Sequence, residues 1–288
     1  MNFVMRKYVL RCSLLFVALA GVALEAQAQL NLPRPSPKAT VAQTVGTTEI
    51  SIVYGRPSVK GRTIYGELVP YDQVWRTGAN EATIISFSDA VKINDQPLAA
   101  GRYSLHTLPG KDEWTIIFNR TADQWGSYQY DVKQDALRVR VRPETAPKME
   151  QLTFGFPVVN YDSAQVAMHW DTLRVPFTVA VEADQNALAG ARTAIAAAKP
   201  DDWRTPLQAA MFAFDRNIAT EDALTWVNKS IAVQEDYRNL SLKARIMQKR
   251  GDTAQARQLA TRAITLGKAA KPQPADVSAM EKLLAEIK

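Results

Sequence analysis

ALRVRVR, residues 136–142, decides how the chain is built. Leu137, Val139 and Val141 alternate with Arg138, Arg140 and Arg142. A period of two puts one set on each face of a β-strand and fits no helix. Working outward, TVAQTV, TEISIVY, ATIISF, VKI, RYSLHTL and EWTIIFN precede it, and QLTFGFPV, AQVAMHW and RVPFTVAV follow. These runs are rich in β-branched and aromatic residues and are separated by turn formers. In AQVAMHW, Val166, Met168 and Trp170 share one face, opposite Ala167 and His169. Asn94-Asp95 and the Pro109-Gly110-Lys111-Asp112 run read as hairpin turns. About ten strands without an intervening helical pattern indicate an antiparallel β-sandwich or barrel, and the sandwich is the fold expected.

The strand pattern stops at Glu182. An alanine-rich run from Ala183 to Lys199 is helical and ends at Pro200, and Asp201 or Asp202 is placed to cap the next helix near Trp203. EDALTWVNKSI (221–231) then aligns with TAQARQLATRAI (253–264), matching Ala223 with Ala256 and Val227 with Ala260. Small residues recurring with such a period resemble tetratricopeptide repeats. The chain therefore divides into a leader over 1–28, a β-sandwich over 29–182 and a short tetratricopeptide-like helical array over 183–288. Such arrays need about three repeats to stand alone. The tail is thus expected to dock on the sandwich, with a protein partner as the alternative.

Arg6, Lys7 and Arg11 precede an apolar run from Ser13 to Leu24 and then Ala26-Gln27-Ala28. That is the order of a signal peptide, with cleavage expected after Ala28. The run is too short to span a bilayer, which takes about 20 apolar residues. No later segment of the mature chain is long and apolar enough to do so. The protein is expected to be exported, periplasmic in a diderm bacterium or secreted. The single cysteine, Cys12, falls inside the leader, which excludes disulfides, thiolate metal sites and a cysteine nucleophile from the mature protein. Residues 29–288 carry 32 Lys and Arg against 28 Asp and Glu. So small an excess lacks the strong basic patch of nucleic-acid domains.

Residues 53–83 (VYGRPSVKGRTIYGELVPYDQVWRTGANEAT) form a connection far longer than a turn. Gly55, Gly61, Gly66, Gly78, Pro57 and Pro70 interrupt it, while Arg56, Arg62 and Arg76 alternate with Tyr54, Tyr65, Tyr71 and Trp75. Loops of this length in compact domains are functional or disordered, and the aromatic content argues against disorder. Guanidinium groups suit carboxylate, phosphate or sulfate and stack on rings. The expected ligand site, for a small polar molecule such as a glycan or an anion, comprises Arg56, Arg62, Tyr65, Trp75, Arg76, Asn80, Glu81 and His106. A structural alternative has Arg76 paired with Glu81 and Arg62 with Glu67, pinning the loop.

The segments RPSVKGRTIYG, VWRTGANEAT and AGRYSLHTLPG, with a strand ending HWDTLRVPF, resemble an exported bacterial family catalogued as domain of unknown function 2911. The resemblance spans roughly residues 33–180. It implies an exported all-β domain, often with a helical tail, and supplies no catalytic residues to transfer.

The mature chain has two histidines, His106 and His169, too few for a zinc site of two or three imidazoles unless carboxylates complete it. No GxSxG elbow, HExxH, P-loop or dinucleotide glycine pattern occurs. No metal, cofactor or catalytic residue is therefore assigned. A binding or envelope-associated module is the leading expectation. The alternatives are a hydrolase of envelope or polysaccharide material using Glu81 with His106 or Asp131, and a scaffold acting through its helical tail. Trp114 alternates with Ile116 and Phe118 and is expected in the core. Trp125, Tyr128 and Tyr130 in DQWGSYQYD are read either as a sugar-stacking platform or as a plug over a sheet edge.

Overall fold

The computed structural model describes residues 32–271 and 275–287, so the expected leader and its cleavage point lie outside the described residues. Ser36–Lys288 form one compact unit. Its strands are β1 (Lys38–Val45), β2 (Thr48–Gly55), β3 (Thr83–Phe87), β4 (Val91–Ile93), β5 (Gln96–Leu98), β6 (Gly101–Leu108), β7 (Trp114–Asn119), β8 (Asp135–Val141), β9 (Glu144–Val159) and β10 (Ser163–Val181). They form two antiparallel sheets ordered β1-β2-β3-β6-β7-β8 and β5-β4-β10-β9.

The alternation read from ALRVRVR holds: Val139 and Val141 are buried while Arg138 and Arg140 are exposed. Asn94 and Asp95 both adopt positive φ, the conformation of a two-residue hairpin turn, and join β4 to β5. AQVAMHW and RVPFTVAV, expected as separate strands, are one continuous β10. Asp171 at φ 51 and register shifts against β9 absorb the polar break between them. QPL forms β5, too short and too proline-bearing for its composition to announce it, and it occupies a sheet edge.

The two sheets pack face to face. Phe118 on β7 meets Phe177 on β10 edge-on, with ring centroids 5.9 Å apart. Tyr54 on β2 meets Phe154 on β9 at 4.9 Å, and its hydroxyl accepts from the Phe154 N–H at 3.2 Å. Ile50, Ile52, Ile85, Ile93, Val166 and Val179 are buried between them. Edge-to-face aromatic pairs add about 0.5–1.5 kcal/mol each beyond the area they bury.

Six helices follow: α1 (Ala183–Ala197), α2 (Arg204–Asp215), α3 (Thr220–Val233), α4 (Tyr237–Lys249), α5 (Thr253–Ala269) and α6 (Ser278–Glu286). α2 and α4 start 33 positions apart, as do α3 and α5. Ala223, Val227 and Ser230 are buried on α3 where Ala256, Ala260 and Ala263 are buried on α5. Asp202 accepts from the N–H groups of Arg204 and Thr205 at the start of α2, and Asp236 and Asp252 do the same for α4 and α5. These bonds satisfy amides that have no partner inside the helix.

The tail has its own apolar core and is also fastened to the sandwich. Ala183 belongs to the sandwich core, and Asn186 Nδ2 donates to Thr48 Oγ1 at 3.2 Å. The Tyr161 hydroxyl donates to Asp184 at 2.6 Å. Arg216 pairs with the same carboxylate at 2.9 Å while lying 4.1 Å over the Tyr161 ring. No described helix is long and apolar enough to cross a membrane.

Gly46 turns β1 into β2 at φ +57, and a Cβ there would sit 2.7 Å from the Ala183 Cβ. Gly46→Ala is expected to destabilise the protein by about 1–3 kcal/mol in urea unfolding, through left-handed strain and overlap at the junction. Gly190→Ala, in open space on α1, is expected to stabilise by about 0.5–1 kcal/mol. A destabilisation of equal size at both positions would contradict this reading of the junction.

Candidate functional site

The 53–83 loop follows from where β3 stops. Thr83, its first residue, pairs with Leu105. Past that point Trp75 replaces β3 beside β6, exchanging main-chain bonds of 2.8 and 2.9 Å with Thr107. The buried Thr77 hydroxyl lies 3.1 Å from that of Thr107, and Thr83 Oγ1 donates to the Thr77 carbonyl at 2.8 Å. Gly55 lets this arm close on β2, because a Cβ there would fall 2.1 Å from the Ala79 carbonyl oxygen. The Trp75 ring stacks on Trp170 of β10 with centroids 6.0 Å apart, and Tyr65 packs edge-on against Trp114 at 5.4 Å and Trp170 at 6.4 Å. The Tyr65 hydroxyl donates to the Trp170 carbonyl at 3.1 Å. Burial holds that phenol far above its ordinary pKa, so it stays protonated.

Two of the loop's three arginines, Arg56 and Arg62, donate to main-chain carbonyls. Arg56 Nε donates to the Leu152 carbonyl at 3.1 Å and its Nη2 to Thr153 Oγ1 at 3.0 Å. Arg62 donates to the Val59 and Ser58 carbonyls, and among the described residues it makes no ion pair with Glu67. The Nε of Arg76 is buried without an acceptor. Asn80, at φ 65, donates through its side chain to the Ser36 carbonyl at 3.1 Å.

His106 faces away from the inter-sheet core and is fully buried beneath the connection 120–134 between β7 and β8. The Tyr130 ring covers it at 5.2 Å. Neither ring nitrogen makes a well-formed hydrogen bond among the described residues. Burial pushes the imidazole down to about 4, against smaller opposing pulls from the Gly126 and Ser104 main chain and the Asp135 carboxylate. The ring is therefore neutral at ordinary pH. His169 lies elsewhere, with Nε2 2.9 Å from the Pro147 carbonyl. The Asp131 carboxylate accepts from the Lys133 N–H and caps the 3-10 turn Val132–Gln134.

A polar network fixes the 120–134 connection. Asn119 donates to Asp135 Oδ1 at 2.8 Å and to the Asp131 carbonyl at 2.9 Å. The Tyr130 hydroxyl donates to Asp135 Oδ2 at 2.7 Å, and Arg138 Nε reaches the same oxygen at 2.7 Å. Burial and the neighbouring carboxylate push the Tyr130 phenol up to about 12. Arg102 grips Asp123 through two nitrogens at 2.9 and 3.2 Å. Gln124, only 7% exposed, donates to Ser104 Oγ at 3.0 Å and to the Thr121 carbonyl at 2.8 Å, and its own Oε1 has no donor.

The two long connections then zip together. Ala82 N–H donates to the Gln124 carbonyl at 3.0 Å and Gly126 N–H to the Asn80 carbonyl at 3.1 Å. Glu81 and Trp125 are the bridge pair between those bonds, so their side chains stand beside each other on one face. Both line a cavity of about 350 Å³, with Lys38, Asp123 and Gln124 as the other polar residues and Val53 and Ile84 among the apolar ones. Of the expected site residues, Glu81 alone lines this cavity. Sequence reasoning did not select Lys38, Asp123 or Gln124. The aromatic richness of DQWGSYQYD was the available signal, and it pointed to Trp125 without giving the cross-loop pairing. Among the described residues no cluster of three or more His, Cys, Asp or Glu is arranged to hold a metal ion.

Fold and cavity together define an all-β sandwich domain with a helical tail and a small pocket of mixed polarity. The chain belongs to the family described as Protein of unknown function (DUF2911), whose model matches residues 36–179. The match covers the sandwich from just before β1 to near the end of β10. No curated protein and no solved structure matches the chain.

The buried histidine makes stability depend on pH. Its folded pKa of about 4 lies below the ordinary 6.5, so the unfolded chain binds the extra proton between those values. Stability contributed by the neutral ring is present above pH 6.5 and falls as pH drops toward 4, by up to ~1.4 kcal/mol per unit. In urea unfolding at pH 7 and pH 4.5, His106→Asn is expected to be less stable at pH 7 but to lose less on acidification than the parent. An equal loss in both proteins would contradict a titrating, buried His106.

Proposed function

We propose that the chain is an exported binding module that takes a small polar ligand in the Glu81–Trp125 cavity. The observation that carries this reading is the pairing of Glu81 with Trp125 at the rim of a preformed pocket. Both long connections of the sandwich converge there, and among the described residues they engage each other through such a ladder only at this point. The pocket lies near the lower bound of the ~300–1,000 Å³ typical of small-molecule sites. Its polar groups come from rigidly held main chain, which lowers the ordering cost of binding. Arg56 and Arg62 tie the 53–83 loop down through Leu152, Thr153, Val59 and Ser58, and the cavity opens at the loop's end, where the ligand meets Glu81 and Trp125.

The helical tail is read as a tetratricopeptide-like pair of hairpins, on the strength of the 33-position spacing of helix starts and the small buried residues repeated at that spacing. Export rests on the basic, apolar and small-residue order of the leader. N-terminal sequencing of protein recovered outside the cytoplasm is expected to begin at Gln29.

Thermal-shift screening against inorganic anions, dicarboxylates, amino acids and saccharides tests the cavity. At least one probe class is expected to raise Tm in a concentration-dependent way. Trp125→Ala and Glu81→Gln are expected to weaken that effect about tenfold or more, read as the ligand-induced shift relative to each variant's own unliganded Tm. A probe whose effect survives both substitutions would place binding elsewhere.

A further inference from the structure

We propose that the seam between the two long connections encloses an internal hydration site, in which ordered water bonds the His106 ring to Arg76, Gln124 and Ser127. The site is made of buried side chains and does not depend on the ligand reading above.

Strand alternation sets its floor. Leu105 belongs to the inter-sheet core, so Ser104 and His106 fall on the opposite face of β6, and both are wholly buried there. Trp75 bridges Thr107 in antiparallel register and stacks its ring on Trp170 in the core. The next pair of positions, Arg76 and His106, therefore stands opposite on the covered face. From above, Gln124 reaches Ser104 at 3.0 Å, and the Gly126 main chain comes close enough to act on the His106 ring. Ser127 follows Gly126 directly. The floor thus comes from the sheet, one wall from the 53–83 loop and the cover from the 120–134 connection.

Five atoms of these four side chains are buried without a partner among the described residues: Arg76 Nε, both His106 ring nitrogens, Gln124 Oε1 and Ser127 Oγ. Turning the Gln124 amide over would not help, because its Nε2 donates to the Thr121 carbonyl at 2.8 Å, and a carbonyl can only accept. Buried polar groups that miss one another are costly to leave so, and ordered water is the usual remedy. The set is balanced. Arg76 and one nitrogen of the neutral imidazole donate, Gln124 and the other nitrogen accept, and the Ser127 hydroxyl does either. Water, which donates twice and accepts twice, matches such a set. An anion would meet the Gln124 oxygen and a cation the Arg76 guanidinium, while an apolar molecule would leave all five atoms unanswered. Water held here ties both connections to the strand beneath them.

A high-resolution crystal structure of the mature-length protein is expected to show ordered water within hydrogen-bonding distance of a His106 ring nitrogen and of at least one of Arg76 Nε, Gln124 Oε1 and Ser127 Oγ. Oxygen-17 relaxation dispersion at pH 7 reads the same site in solution, because it follows long-lived water oxygens and ignores exchanging side-chain protons. His106→Leu should lower the dispersion amplitude by at least one internal water relative to the parent, while Gly190→Ala on α1 leaves it unchanged. Ser127→Ala removes one partner and should shorten the water's residence several-fold. Direct bonding among the five atoms, or a dry seam, in the crystal overturns the proposal. So does a folded His106→Leu variant that keeps the parent amplitude. If that variant does not fold, an unchanged residence time in Ser127→Ala overturns it instead.

Discussion

Four aromatic rings from three parts of the chain make the contact on which the rest depends. Trp114 comes from the six-stranded sheet, Trp170 from the four-stranded sheet, and Tyr65 and Trp75 from the long connection between β2 and β3. Trp114 and Trp170 are wholly buried, and their indole N–H groups have no acceptor among the described residues. The block is therefore held by contact area and ring geometry, with the Tyr65-to-Trp170 hydrogen bond fixing orientation. A loop that inserts two rings between two sheets cannot move without opening the end of the sandwich. Its glycines and arginines are consequences of that anchorage.

Seen this way, the placement of the arginines follows. A 27-residue stretch between β2 and β3 that crosses the end of a sandwich leaves many main-chain carbonyls out of any ladder. Arg56 and Arg62, with several donors each, satisfy Leu152, Val59 and Ser58. The end of the lid has a different task. Residues 80–82 meet residues 124–126, and the two connections stiffen one another where the cavity opens. Rigidity made by packing at one end of the loop thus becomes a preformed cavity at the other.

The strands were legible in the sequence because one buried face leaves a period-two signature, as in ALRVRVR and TEISIVY. β5 was not, since three residues including Pro97 carry no period. The continuity of β10 was hidden because a polar pair, Asp171-Thr172, interrupts the alternation and the structure accommodates it with a bulge. The helix pairs showed through small residues repeated at a fixed spacing. The site was legible only in part. Composition singled out the 53–83 loop and the DQWGSYQYD cluster, but carboxylate pairing was the wrong guide to Arg62, whose partners are the Val59 and Ser58 carbonyls that no residue type reveals. Lys38, Asp123 and Gln124 join Glu81 through pairing between segments more than 40 positions apart, and local sequence carries no record of that.

Native-state hydrogen exchange across the 53–83 loop shows whether the loop is a fixed lid with a rigid rim. The amides of Val69, Trp75, Ala82 and Thr83, and of Gly126 across the rim, each donate to main-chain carbonyls. A fixed lid requires protection of these amides within about a factor of ten of those in β6 and β7, because it opens only when the sandwich does. Exchange orders of magnitude faster than the strands, at the pace of an exposed loop, would contradict it.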